Sequence, residues 1–448
     1  MALLVLGALR ASAQEPVAGP PIQLARAPAA SGAPAVITLA DALQRARQND
    51  LTFQTSVADA VSAHEDRIQA RATLLPTVSA TTQFLGNSPG ALPTGRFVSL
   101  DGVEMYREWL VLHQDLSANT LTQAPLHKAR AGEAVAQAKL EIATRGLAVT
   151  VTKSYYSLVA TERKYATVQR AAQQAARFLE ITQQQERLGQ VARSDVIKAD
   201  LQSRQQQQAF REATLAMDSA HLALAVLLSP TFDENFTVVD DLATAPPLPP
   251  FADVRAMAER GNPDIRAASE ALLAAEQDVR ISRNALLPTF SVEAIYGFEA
   301  NEFALNAVIA ARPELGPQPT LGYFVTLNLA IPVWDWGGLR SKLHQSETRA
   351  REAHVALTQS QRQQMSNLYT MYNEALTAKS AVENLQSVAE LAAESLRLIN
   401  LRYEAGESTA LEVVDAQNTL VQARSAFDDA GARYRLALAE LQTVTGSF

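Results

Sequence analysis

The sequence predicts a mainly α-helical protein with a smaller β component, built as two copies of one structural unit. Three observations lead to this fold class. The chain contains an internal duplication, long segments without glycine or proline that have helical apolar spacing, and four short segments in which apolar and polar residues alternate. Its 448 residues, of which 47% are apolar, are enough for a folded protein with a substantial core.

The composition excludes several classes of function. The net charge is −8 and no dense cluster of Lys and Arg occurs, so we expect no nucleic-acid partner. Cysteine is absent, which excludes disulfides, thiolate metal sites and a lipid anchor on an N-terminal cysteine. The 6 histidines are scattered without metal-ligand spacing, and no phosphate loop or nucleophile motif occurs. We therefore expect no enzyme, no metal site and no cofactor.

The N-terminus has the order of a targeting signal. Residues 2–9 form a short apolar core, and the small-residue pattern Ala11-Ser12-Ala13 follows. This order predicts a signal peptide at 1–13, cleaved before Gln14, and a flexible leader at 14–36 that is rich in Pro, Ala and Gly. An ordinary apolar N-terminus stays the alternative, because no basic residue precedes the apolar core.

The clearest sign of duplication is a nine-residue match. Arg71-Ala-Thr-Leu-Leu-Pro-Thr-Val-Ser79 recurs as Arg283-Asn-Ala-Leu-Leu-Pro-Thr-Phe-Ser291, with six identities in nine positions at an offset of 212 residues, which becomes 217 further along. Ordered matches predict a first repeat at 37–244, a proline-rich link at 245–250 and a second repeat at 251–448. We expect each repeat to contain a medium helix, a strand pair, a long helix, a glycine turn and another long helix.

The helical spacing is clearest in the second repeat. Residues 339–405 contain neither glycine nor proline over 67 positions, and a continuous helix of that length would extend about 100 Å. Apolar residues recur every three or four positions on both sides of Gly406, which predicts an antiparallel coiled-coil hairpin. The seam positions are Leu368, Met371, Ala375, Ala378, Val382, Leu385, Ala389, Ala392, Leu396 and Ile399, then Val413, Ala416, Leu420, Ala423, Phe427, Ala430, Tyr434, Ala437, Leu441 and Val444.

The first repeat has the same seam with two interruptions, at Ser203 and Gln206. The glutamine run at 205–208 is expected to be a solvated polar patch. On the helices alone, a soluble coiled-coil scaffold would be the favoured interpretation.

Four segments of about nine residues have the length and alternation of strands that cross a bilayer. In the last one, the odd-numbered positions from Tyr323 to Ile331 are apolar, whereas Thr326 and Asn328 are polar. These strands argue against the soluble scaffold. The four segments are residues 78–85, 108–116, 290–298 and 323–331.

Four strands are too few to close a barrel, which needs about eight. In lipid, each unpaired backbone group at a sheet edge would cost several kcal/mol. Copies of the chain must therefore associate. Two copies would supply eight strands and three copies twelve, so both a dimer and a trimer stay open. The long loops at 86–103 and 299–322 suit a rim outside the membrane.

Over residues 37–446 the sequence resembles the TolC-type family of outer-membrane efflux proteins. The resemblance rests on the duplication, the paired Leu-Leu-Pro strand starts, the junction Ile331-Pro-Val-Trp-Asp-Trp-Gly-Gly338 and the turn from Arg402 to Gln417. It implies a homotrimer whose twelve strands form an outer-membrane β-barrel, continued by a twelve-helix α-barrel in the periplasm. The first repeat departs from the family at Leu116-Ser-Ala-Asn-Thr-Leu121, which lacks the Pro and Gly-Gly of the second repeat.

The resemblance also implies a function. The protein would be a passive duct of a tripartite efflux or type I secretion system, in the outer membrane of a Gram-negative bacterium and extending into the periplasm. Its partners would be a periplasmic adaptor protein, an inner-membrane pump and outer-membrane lipid. Drugs, metal ions and secreted proteins all stay open as substrates, since selectivity resides largely in the pump. A soluble coiled-coil scaffold stays the alternative.

The family's functional positions carry over to the two glycine turns. Asp195 and Tyr403 match residues that link neighbouring helix pairs and keep the periplasmic entrance shut, and a phenol that donates to a carboxylate makes a charge-assisted hydrogen bond. The alternative is that Asp195 only caps the helix after the turn. The tip residues expected to contact the adaptor are Leu188, Gly189, Gln190, Ala405, Gly406 and Glu407.

Glu412 and Asp415 match acidic rings that line the entrance in the family. They lie three residues apart and so share a helix face. In a trimer they would place six carboxylates around one axis, which favours cations and raises some carboxylate pKa values. A solvated acidic face is the alternative. Trp334 and Trp336 are expected to anchor the barrel at the membrane interface.

Overall fold

The computed structural model describes residues 34–86, 104–229, 235–244, 246–300 and 320–446. The predicted signal peptide and most of the predicted leader lie outside these residues, as do most of the two long loops and the first residue of the proline-rich link.

The first half of the described chain contains two short strands, a strand pair and five helices. In chain order these are β1 (Ala35–Ile37), α1 (Leu39–Asn49), α2 (Leu51–Ala72), β2 (Thr77–Gly86), β3 (Glu104–Asp115), α3 (Ala118–Thr122), α4 (Ala124–Arg187), α5 (Arg193–Leu228) and β4 (Phe236–Val238).

The second half repeats this order apart from β1, α3 and β4, as far as the described residues extend. Its elements are α6 (Phe251–Gly261), α7 (Pro263–Asn284), β5 (Thr289–Ala300), β6 (Leu321–Ala330), α8 (Gly338–Glu404) and α9 (Ala410–Thr445).

The predicted long helix is confirmed with its bounds shifted by one residue. α8 has 67 residues and its counterpart α4 has 64, so they extend about 100 Å and 96 Å. Each packs against the 36-residue helix that follows it, and the two pairs form antiparallel hairpins. Seam residues such as Leu368, Ala378, Val413 and Leu441 are buried as the spacing predicted. None of the helices in the described part of the chain combines the length and apolar character of a membrane-spanning helix.

The medium helix expected in each repeat is divided in two. Asp50 has an extended backbone, and its carboxylate accepts a hydrogen bond from the N–H of Phe53 at 2.6 Å. Asn262, which lies 212 residues later, accepts from the N–H of Asp264 at 2.8 Å. Each side chain satisfies a free N–H of a new helix and thereby starts it. The prediction of a single helix is therefore wrong at these two positions.

The strand-to-helix junctions of the two repeats differ, at the place where the sequences depart from each other. In the first repeat the short helix α3 precedes α4, and Gln123 adopts a left-handed conformation with φ of 52°. In the second repeat Gly337 adopts that conformation with φ of 83°, and glycine does so without steric strain because it has no Cβ. The side chain of Asp335 accepts a hydrogen bond from the N–H of Gly337 at 3.0 Å and so stabilises the start of α8.

All four predicted strands are confirmed, with ends that differ by up to four residues. They form one antiparallel sheet in the order β2-β3-β5-β6. Because β3 pairs with β5, the strand pairs of the two repeats are joined in a single sheet. Its edges are β2 and β6.

The sheet has one apolar and one polar face. On the polar face, Arg107 of β3 and Glu299 of β5 are directly opposite each other in the sheet. The Arg107 guanidinium lies 2.9 Å from the Glu299 carboxylate. The apolar face is exposed, with fractional exposures in β6 from 38% at Leu321 to 80% at Tyr323. Rows of paired positions cross this face, including Val78, Leu112, Ala294 and Val325.

The largest buried cluster lies near the middle of α4, where β1 and β4 pair as a small parallel sheet. The buried Tyr155 hydroxyl accepts from the N–H of Val239 at 3.0 Å and donates to the carbonyl of the same residue at 2.8 Å. The carbonyl of Ile37 is 3.2 Å away. One side chain thus ties both ends of the first repeat to its longest helix.

Candidate functional site

The two helical hairpins end in turns of the same geometry. Gly189 and Gly406 both have positive φ, at 71° and 77°. In each turn the next N–H, that of Gln190 or Glu407, donates to a carbonyl five residues earlier at 2.8 Å. This is the Schellman arrangement, which satisfies the last carbonyls of the preceding helix. The six tip residues expected to contact an adaptor are all exposed, and the side chain of Leu188 is 71% exposed.

Tyr403 joins the two repeats just above these turns. Its hydroxyl donates to the side-chain oxygen of Gln185 at 3.0 Å, which links α8 to α4. Its aromatic ring lies 5.4 Å from that of Phe178, beside the buried residues Ala199 and Val413. The sequence did not single out Gln185, because it lies on the other repeat and outside the turn motif.

Asp195 does not receive the Tyr403 hydroxyl within one chain. Its carboxylate lies in the first turn of α5, 3.8 Å from the ammonium group of Lys198. The residue at the cap position is Ala192, which supplies no side-chain hydrogen bond. Asp195 therefore acts on the start of α5 through its negative charge near the positive helix end.

Glu412 lies at the capped start of α9. The hydroxyl of Thr409 accepts from the N–H of Glu412 at 3.3 Å, and the carboxylate accepts from the hydroxyls of Ser408 at 2.9 Å and Thr409 at 3.2 Å. The Ser408 hydrogen bond is the main reason that the pKa of Glu412 lies below its usual value. The shift is that of a single chain, whereas the rise expected in an acidic ring would come from the carboxylates of neighbouring copies. The spacing Thr409-x-x-Glu412 was the available sequence signal for this cap.

Asp415 is exposed one turn further along α9, and the neighbouring seam positions Val413 and Ala416 are buried. The two carboxylates that the sequence singled out therefore lie outside the apolar seam, as expected.

A polar layer, consisting of the buried Gln202 and Gln206 and the half-buried Asn418, lies along the contact between α5 and α9. The side-chain amides of Gln202 and Gln206 both donate to the Asn418 oxygen, at 2.8 Å and 3.0 Å. Gln206 is 9% exposed, so the expectation of a solvated glutamine run is wrong for this residue and holds for its exposed neighbours. The interruption of the apolar seam at Gln206 was the available signal.

The two predicted anchors lie on the segment between β6 and α8. Trp334 and Trp336 are 75% and 89% exposed, and their rings are 5.5 Å apart in an edge-on arrangement. The adjacent Val333 is also exposed. Among the described residues, no group of three or more His, Cys, Asp or Glu side chains is placed to hold a metal ion.

Comparison with known proteins identifies the class. Residues 254–447 match the family described as outer membrane efflux protein. Outer membrane protein OprJ of Pseudomonas aeruginosa is 28% identical over 349 residues, which cover 73% of this chain and 66% of OprJ. Outer membrane protein TolC of Vibrio cholerae is 22% identical over 413 residues, which cover 91% of this chain and 90% of TolC.

The crystal structure of the Campylobacter jejuni CmeC outer membrane channel has the same fold. It matches with a TM-score of 0.77 at 16% identity, over 91% of this chain and 85% of CmeC. Duplicated helical hairpins attached to one antiparallel sheet are thus the fold of the TolC-like channels.

The second half of the chain matches the outer membrane efflux protein family, and most of the chain is similar to the outer membrane proteins OprJ and TolC. The resemblance found in the sequence is confirmed, and so is the outer-membrane localisation. The matched region covers just under two thirds of the length of OprJ.

The polar layer yields a prediction for stability. Asn418→Leu should leave two buried glutamine amides without their acceptor and lower the free energy of unfolding by about 1–3 kcal/mol. The triple variant Asn418→Leu, Gln202→Leu, Gln206→Leu should recover most of the loss, because no buried donor then lacks a partner. Thermal unfolding of the protein in detergent measures both effects.

Gln207→Leu is the matched control, since Gln207 is the exposed neighbour on the same helix. Equal unfolding temperatures for Asn418→Leu and Gln207→Leu would show that the layer does not hold α5 against α9.

Proposed function

We propose that this protein is the outer-membrane duct of a tripartite efflux or type I secretion system, through which substrates from an inner-membrane pump leave passively. One observation carries the proposal: the four-stranded sheet has an uncovered apolar face and two edge strands, and it continues into helices about 100 Å long. Such a sheet suits lipid on one face and a polar lumen on the other.

The edges favour an assembly of copies. β2 and β6 each lack a neighbour on one side within the described residues. In hydrocarbon those backbone groups would cost several kcal/mol each. Pairing β6 of one copy with β2 of the next satisfies them, and three copies give a barrel of twelve strands above a tunnel of twelve helices. Similarity to the efflux family supports the trimer over the dimer.

The helical tips then lie at the periplasmic end, where an adaptor and an inner-membrane pump dock. The six exposed tip residues at the two glycine turns would form the adaptor contact. The soluble coiled-coil scaffold is disfavoured, because it would leave the apolar face of the sheet in water.

The gate at the tip would consist of Tyr403, Asp195, Glu412 and Asp415. The Tyr403 hydroxyl holds the repeats together within each copy through Gln185. Asp195 would act between copies. Glu412 and Asp415 would line the entrance and favour cations. Trp334 and Trp336 would anchor the barrel at the membrane interface.

Two neighbouring substitutions test the duct. Leu327→Arg places a charge on the apolar face and should cost about 2–4 kcal/mol at the membrane midplane, so assembly in the outer membrane should fall. Asn328→Arg places the same charge on the polar face and should assemble normally. The measurement is the amount of heat-modifiable oligomer in the outer-membrane fraction, with a native mass near three times 48.4 kDa for the unsubstituted protein.

Equal assembly of the two variants, or recovery of the unsubstituted protein as a soluble monomer, would rule out the duct.

The gate is tested by Tyr403→Phe. This change removes the hydrogen bond to Gln185, keeps the aromatic contact with Phe178, and should raise the open fraction in planar-bilayer recordings by roughly twofold to tenfold per copy. Tyr165→Phe is the control, because the Tyr165 hydroxyl makes no hydrogen bond among the described residues. If both variants open equally often, Tyr403 does not close the duct.

The acidic entrance is tested with multivalent cations. A trivalent cation should block conductance, and Glu412→Gln with Asp415→Asn should abolish the block. The amide variants remove charge, and a glutamine at 412 keeps a side-chain oxygen that can accept from the Ser408 and Thr409 hydroxyls. A block that persists in the double variant would show that these carboxylates do not line the entrance.

A further inference from the structure

A concavity of about 500 Å³ lies where α2 ends and α4 begins, next to the start of β2. Three guanidinium groups line it, those of Arg67, Arg71 and Arg130, and no carboxylate does. The rest of its wall is mostly apolar and includes Leu74, Leu75 and Leu126. Three positive groups beside apolar side chains suit a ligand that has both an anionic and an apolar part.

Two of the three positive charges are available to a ligand. Arg67 is engaged by Glu133, with its Nε 2.7 Å from a carboxylate oxygen. Arg71 and Arg130 take part in no ion pair within the described residues, and both side chains are exposed. The concavity also borders the start of α4, whose cap residue Gln123 makes no side-chain hydrogen bond to the first turn. The positive end of this 64-residue helix therefore adds to the field of the arginines.

The second repeat keeps leucines at the positions of Leu74, Leu75 and Leu126 but replaces two of the three arginines. At the repeat offsets of 212 and 217, Arg67 corresponds to Val279 and Arg130 to Glu347, and only Arg71 keeps an arginine, Arg283. A depression that includes two of these equivalent positions is lined by Glu276, Val279, Glu347, Ala350 and Arg351. The combination of Arg71 with Arg130 is therefore a property of the first repeat, and the shared backbone does not require it.

The position of the concavity indicates the source of the ligand. Leu75 is exposed and lies two residues before β2, whose Val78 belongs to the uncovered apolar face of the sheet. An apolar path thus leads from the arginines to the face that contacts hydrocarbon in the proposed duct. A free anion would make no use of this path.

We infer that this concavity binds the phosphate of an anionic phospholipid from the periplasmic leaflet, with Arg71 and Arg130 as its main ligands and an acyl chain along Leu75 and Val78. Guanidinium groups bind phosphate oxygens in pairs of parallel hydrogen bonds, and this geometry favours Arg for such sites. The inference rests on the proposed function, because it needs the sheet to lie in a membrane. Each copy would hold one lipid.

The experiment is native mass spectrometry of the delipidated oligomer in detergent, titrated with phosphatidylglycerol or with zwitterionic phosphatidylethanolamine. The unsubstituted protein should bind one phosphatidylglycerol per chain in preference to phosphatidylethanolamine. Arg71→Gln with Arg130→Gln should weaken that binding by about tenfold or more, since two charged hydrogen-bonding groups are lost. Arg283→Gln with Arg351→Gln removes the same charge from the second repeat and should leave binding unchanged.

Equal loss in both double variants, or no preference for the anionic lipid, would overturn the inference. Displacement of the lipid by equimolar inorganic phosphate would assign the site to a free anion and overturn it as well. If the double variant does not assemble, Arg130→Gln alone replaces it. Planar-bilayer conductance of the same samples separates the two proposals, because a conducting oligomer without the lipid preference contradicts only the lipid site.

Discussion

The backbone hydrogen bonds at the edges of the four-stranded sheet are the constraint on which the rest of the architecture depends. Each strand interior is paired, but β2 and β6 end the sheet, and the face that includes Val325 is apolar and uncovered. In water, the open edges and the apolar face would promote aggregation. In lipid, the unpaired backbone groups at the edges would be costly. Association of sheets from several copies would satisfy both, so the proposed barrel, the tunnel below it and the symmetry of the entrance would follow from one unmet requirement of the single chain.

The contacts near the tips are of a different kind from those in the middle of the molecule. Around Tyr155, large buried side chains and a hydrogen-bonded pair of strands form a core that is costly to open. At the tips, the repeats meet through a small apolar cluster around Phe178, one tyrosine hydrogen bond and a polar layer of three side chains. Hydrogen bonds of this type contribute about 1 kcal/mol each. The proposed gate would require contacts of this size, which are specific in geometry and weak enough to break.

The duplication provides the same backbone twice and lets the side chains diverge. Both tips keep the Schellman turn, and both following helices carry an acidic residue in the first turn, Asp195 or Glu412. The ends next to the four-stranded sheet differ more. There the first repeat has an additional short helix and the arginines of the concavity, whereas the second has the tryptophan pair with Asp335 and Gly337. Equivalent positions of the two repeats can thus carry different surface chemistry, because a few residues set the backbone geometry and other residues form the surface.

Local patterns in the sequence determined much of this protein: the bounds of α8 within one residue, the apolar seams, the four strands and the faces of β6, because each depends on periodicity along one element. The divided helices at Asp50 and Asn262 were also readable, as capping signals, and were missed. The partners of Tyr403 and Gln206 were decided only by tertiary structure. Gln185 and Asn418 lie more than 200 residues from them, and which helix faces meet depends on how whole elements pack.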